Sequence, residues 1–200
     1  MIKKIFLPIL ILYSLSFSAL SQTTTVQESA KIATFCKVWG FLKYYHPLVA
    51  KGKFDWDGEF TSRIKTLDSL NSKDEINLFY SQWIAGLGEV KKCKKCDNQI
   101  PDSLKFNLDL TWLSDTNVFT HTVIHQLLYI QQNRNQGKNR YVQLYPNRLN
   151  TKYNKEKPYK DSIFPSEELR LLGLARYWNI INYFYTYKYL TDQNWNSVLL

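Results

Sequence analysis

The sequence predicts a mainly α-helical domain, and three observations carry that prediction. Apolar and aromatic positions step by three and four along two segments, Ile32, Phe35, Trp39, Leu42, His46 and Leu171, Leu174, Trp178, Ile181, Tyr185. That spacing gathers each set on one helix face. The two segments are also copies of one another: a single shift of 139 positions carries Trp39 to Trp178, Tyr44 to Tyr183 and Trp56 to Trp195. A helix, a turn and a second helix start are therefore duplicated, at about residues 30–60 and 169–200. Finally, helix punctuation recurs along the chain, as in the capping-box pair Ser72 and Glu75.

A first helix is expected from about residue 26 to 45, ending before Pro47, which disfavours a helical residue ahead of it. Residues 51–55 make a turn, and Asp55 caps a second helix carrying Trp56, Phe60, Ile64 and Leu67. A third helix starts at Ser72, runs through Phe79, Trp83 and Leu87, and is ended by Gly86 and Gly88. The alternation in residues 106–112 predicts an extended segment near 104–113. Asp115 is expected to cap a fourth long helix reaching Asn133. Residues 134–165 are polar and basic, a linker or functional loop with strand character only near 141–145. Ser166 then caps the second copy, with Glu167 and Glu168 at the positive end of the helix dipole.

The amino terminus sets an expected compartment. Lys3 and Lys4 precede an apolar run from Ile5 to Leu15, and small residues follow up to Ser21. This is the order of a secretory signal peptide, and the run is too short and too serine-broken to span a membrane. Residues 1–21 are read as that signal, 22–133 as a helical domain holding the first copy, 134–165 as the loop and 166–200 as a truncated second copy. The mature chain is expected to be exported, periplasmic or extracellular, without a stable membrane anchor. The formal charge is +9, but the lysines are scattered and exported proteins rarely meet nucleic acid, so no nucleic-acid partner is expected. Aromatic residues make up 16% of the chain and fall mostly at helix-face spacing, where they pack a core.

Motifs that carry chemistry are scarce. The chain has no Gly-x-Ser-x-Gly elbow, no His-Glu-x-x-His and no phosphate-binding Gly-x-x-x-x-Gly-Lys. Cys93 and Cys96 supply two thiols where a structural zinc site needs four ligands, so in an exported chain they read as a local disulfide. Cys36 lies by the apolar face of the first helix and reads as a small buried residue. His121 and His125 share a helix face without an evident third ligand, so no metal site or cofactor is assigned. His46 sits at a helix carboxyl end, where the dipole would favour an imidazolium. Arg134, Lys138 and Arg140 form a basic stretch that reads first as solvated surface and second as a ligand loop.

Four stretches carry a family resemblance: residues 38–47, 51–57, 133–139 and 176–185. They resemble the amino-terminal region of exported serine peptidases of the C-terminal-processing, or tail-specific, family of the Bacteroidetes type. The resemblance implies a non-catalytic scaffold or substrate-positioning region. In such proteins a domain with a serine nucleophile and a lysine base follows, and it would meet the protein or peptide substrate. Nothing in this chain matches that domain, so no catalytic residue is assigned and the chain alone is expected to be inactive. The alternative is a non-catalytic module binding a peptide or an envelope glycan through exposed aromatics and the basic loop. Burial of Trp39, Trp56, Trp178 and Trp195 together would favour scaffold, and a solvent-facing row would favour stacking on a ligand. A third reading, a metal or redox protein centred on Cys93 and Cys96, predicts bound zinc or a reactive thiol.

Overall fold

The computed structural model describes residues 27–96, 101, 107–145 and 151–200. The segment read as a signal peptide lies outside the described residues. The fold is mainly helical. α1 covers residues 27–45, followed by α2 (Pro47–Ala50), α3 (Trp56–Asp68), α4 (Lys73–Gly86), α5 (His121–Gln132) and α6 (Glu167–Phe184). Short 3-10 turns occupy Thr111–Ser114, Lys188–Leu190 and Trp195–Leu199. β1 (Val142–Leu144) and β2 (Thr151–Tyr153) form a two-stranded antiparallel ribbon with Gln143 opposite Lys152. Among the described residues, no helix is long and apolar enough to cross a membrane.

Local chemistry sets the helix ends. His46 is held extended, with ψ at 123°, ahead of Pro47, so α1 stops and α2 starts at the proline. The Asp55 carboxylate accepts from the Gly58 amide to open α3. Ser72 and Glu75 complete a reciprocal capping box on α4. Beyond α4 the chain turns through Gly88, whose φ of 89° would strain any residue with a Cβ.

Two expectations need correction. The fourth long helix does not start at Asp115. That carboxylate accepts from the Asn117 amide in a local turn, and α5 starts at His121. Buried Asn77 of α4 pins the end of that turn, accepting from the Thr120 amide at 2.7 Å and donating to the Val118 carbonyl at 3.0 Å. Neither group could do this in a helix reaching back to 115. Likewise, the described part of the segment expected to be extended near 104–113 is irregular over 107–110 and then 3-10 helical. There Asp109 accepts from both the amide and the hydroxyl of Thr111, bending the chain. Residues 102–106 lie outside the described residues.

The core is aromatic. Phe35 of α1 packs on Phe60 of α3 at 5.0 Å and on Trp83 of α4 at 5.5 Å between ring centroids. Trp39, Trp56 and Trp83 form a continuous stack, with steps of 6.2 Å and 5.6 Å and interplanar angles of 14° and 20°. Trp39 and Trp56 also exchange hydrogen bonds, each indole N–H donating to the other's backbone carbonyl, at 3.0 Å and 3.3 Å. Trp178 and Trp195 make the same exchange, at 2.9 Å and 3.1 Å, with rings 6.5 Å apart and 14° from parallel.

α1 and α6 meet along a seam where positions 139 apart face one another. Tyr44 touches Tyr183 at 5.3 Å. Gly40 faces Asn179 so closely that a Cβ on Gly40 would lie 1.9 Å from Asn179 Oδ1. The Asn179 amide group donates across the seam to the Cys36 carbonyl at 2.9 Å and within its own helix to Ala175 at 2.8 Å, and Cys36 and Ala175 are again 139 apart. Equivalent residues meeting over successive turns place a pseudo-twofold axis along the seam. Contact at a single level would instead mark an axis across the helices.

Candidate functional site

The most unusual chemistry in the fold is an enclosed cluster of two cations and two carboxylates. Lys43 on α1 is fully buried, with Nζ over the Trp39 ring at 4.6 Å and the Tyr141 ring at 4.7 Å. Its Nζ donates to Glu156 Oε1 on the loop after β2. Arg176 of α6 pairs with Glu156 Oε2 at 3.0 Å and, through Nη2, with Asp57 in the first turn of α3. Tyr159 donates its hydroxyl to Asp57 Oδ2 at 3.2 Å, and Arg176 Nη1 donates to the Lys157 carbonyl at 3.0 Å. One connected cluster thus ties α1, α3, α6 and the β2–α6 loop together. The loop reaches it through left-handed backbone at Lys155 and Tyr159, with φ of 58° and 45°. Each such residue costs about 1 kcal/mol, which these contacts offset.

Burial pushes the Lys43 ammonium below its ordinary value, and the Glu156 carboxylate acts in the opposite direction. Burial pushes the Tyr141 phenol up to about 12, reinforced by Asp57 and Glu156. The Lys43 ammonium is thus bound to Glu156 and faces the Trp39 and Tyr141 rings, so its charge is satisfied within the fold.

His46 is fully buried, contrary to the expectation of a favoured imidazolium. Burial pushes it down to about 4, with the nearby Gly88 backbone acting weakly the other way. Neither ring nitrogen makes a hydrogen bond. Desolvation outweighs the helix dipole here. Because the folded-state value lies below the unfolded one, near 6.5, stability is full above that pH and falls as the unfolded state takes up a proton first. Between pH 7.5 and 5 the wild-type chain should lose about 2 kcal/mol more than a His46→Gln variant, as read by urea unfolding at the two pH values. Equal losses would show that His46 is not desolvated.

The residues singled out from sequence do not converge. Cys93 and Cys96 form a disulfide on the segment between α4 and α5, and buried Asn133 accepts from the Cys93 amide at 2.8 Å. Cys36 is buried and its thiol is raised to about 12 by burial. His121 and His125 lie exposed on α5. The stretch with Arg134, Lys138 and Arg140 is pinned by its backbone: the Asn135 amide donates to Tyr45 at 2.8 Å and the Arg140 amide to Ala50 at 2.7 Å. Lys138 and Arg140 are exposed and Arg134 is half-buried.

An open cleft of about 370 Å³ lies between Asn107, Asp109, Lys188 and Asn196. Several of its polar groups are already paired, as Asn196 donates to Asp109 at 2.9 Å and Lys188 donates to Asn182 at 2.8 Å.

Sequence reasoning missed Lys43, Asp57, Glu156 and Arg176. Three of them carried a signal: Lys43, Asp57 and Arg176 are charges set inside the aromatic segments that pack the core. Glu156 sits in a polar run and carried none. No protein-family model matches this chain, nor does any curated protein or solved structure.

Proposed function

We propose that this chain is a non-catalytic helical scaffold and, following the sequence resemblance, the front region of an exported serine peptidase whose catalytic groups lie elsewhere. The observation that carries the scaffold reading is the place of the tryptophans. Trp39, Trp56 and Trp178 are each no more than 2% exposed and Trp195 is half-buried, and all four spend their indole N–H groups on backbone carbonyls. Rings used this way hold helices together and leave no row of faces for a ligand. The charge cluster supports the same reading, since its cations and carboxylates neutralise one another.

An antibody raised to residues 22–200 and used to blot the producing cells tests the peptidase part. A band far above 23.7 kDa is expected. A band at or just below that mass would overturn it and bring forward the peptide- or glycan-binding reading, for which the exposed Tyr177, Tyr185, Tyr187 and Tyr189 supply a stacking surface.

A further inference from the structure

The two Trp pairs differ in what lies beyond them. In the first, the stack continues from Trp56 to Trp83 of α4, and α4 also covers Phe35 with Phe79 and Trp83. Phe35 and Val38 are both completely buried in this copy. The shift of 139 carries these positions to Trp195, Leu174 and Tyr177. There the stack ends at two rings, Leu174 is 43% exposed and Tyr177 is 62% exposed, meeting Trp195 only edge-on at 6.3 Å and 61°. Val198, at the position matching Glu59 and three residues after Trp195, is also 43% exposed. A patch whose counterpart is closed by a helix is therefore open among the described residues.

We propose that the face formed by Leu174, Tyr177, Trp195 and Val198 is a docking site for an amphipathic helix that presents two aromatic residues four apart, as α4 presents Phe79 and Trp83. The first copy supplies the template for the occupant. Its α4 rings lie four positions apart, both against the α1 aromatic Phe35, with the inner one, Trp83, extending the stack. The second copy changes one requirement. In the first, the Trp83 indole donates to the Glu59 carboxylate at 3.2 Å, whereas Val198 offers no acceptor. A phenylalanine is thus preferred over tryptophan at the inner position of the docking helix, because an indole N–H buried there would go unpaired. This inference stands on the repeated geometry and holds whether or not the peptidase reading does.

The test titrates the full chain with a fluorescent peptide of residues 72–90 in which Trp83 is replaced by phenylalanine. Saturable 1:1 binding is expected. It should weaken at least tenfold for the Leu174→Glu, Tyr177→Glu double variant, whose substitutions lie on exposed positions. It should weaken similarly when both peptide aromatics become alanine, and about threefold when the inner tryptophan is restored. A free peptide of this length is only marginally helical. The same sequence is therefore also fused after Leu200 through a flexible Gly/Ser linker, where a higher melting temperature and lower acrylamide quenching of Trp195 are expected. Binding that ignores the double variant, or no response in either format, would overturn the proposal. So would sedimentation showing the face already occupied by a second copy of the chain.

Discussion

Gly40→Ala is expected to lower the stability of the domain by about 3 kcal/mol, at the upper end of the cost of forcing an extra methyl into a packed core. The added Cβ would lie 1.9 Å from Asn179 Oδ1. Asn179 cannot step aside, since it is completely buried and its amide group holds the Cys36 and Ala175 carbonyls across the seam. Relief requires either separating α1 from α6 or breaking both hydrogen bonds. In a domain of this size the loss should appear as a fall in melting temperature of about 10 °C. The pseudo-twofold makes a sharper expectation. Exchanging the two residues, Gly40→Asn with Asn179→Gly, should restore most of the lost stability, because Asn at position 40 would meet the same pair of carbonyls from the other helix. An exchange variant no more stable than Gly40→Ala would show that the seam is not symmetric at this level.

Glu156→Ala should cost about 3 kcal/mol, the size of effect seen when one partner of an enclosed ion pair is removed. Lys43 would be left fully buried with aromatic rings, those of Trp39, Tyr141 and Tyr44, around its ammonium and no bonded carboxylate, and Arg176 would keep Asp57 as its carboxylate partner. Adding Lys43→Met to this variant should recover at least half of the loss, since a buried apolar side chain needs no counter-charge. Chemical unfolding of the four chains gives the coupling directly. Limited proteolysis supplies a second readout: Glu156→Ala should open residues 154–160 to cleavage while the helical core stays protected. A loss below about 0.5 kcal/mol, the level of an exposed pair, would show that the cluster does not hold the loop.

The helical character of the chain was legible because its signals are local. The three-and-four spacing through Trp39 and Trp178, the Asp55 and Ser72 caps and the Pro47 stop each act within a turn or two of the backbone. The constant offset of 139 between Trp39 and Trp178 was legible for a different reason, since like aromatic residues at a fixed spacing stand out in any helical chain. The segments that went astray depended on distant partners. Asp115 had the chemistry of a helix cap, but Asn77, 43 positions before Thr120, takes the Thr120 amide and leaves residues 116–118 in a turn. Residues 106–112 had the alternation of a strand, yet β1 instead pairs with the chain around Thr151.

The candidate cluster was hidden for the same reason. No spacing rule connects Lys43 to Glu156 or Asp57 to Arg176, and their meeting depends on how α1, α3, α6 and the β2–α6 loop pack. Identical side chains at matched positions also met different fates: Trp56 is closed by α4, whereas Trp195 keeps one face open. Backbone conformation follows from near neighbours along the chain, so composition and pattern reach the helices and their ends. Which charges are enclosed and which apolar face stays uncovered depends on long-range packing, and those two properties carry the functional reading of this protein.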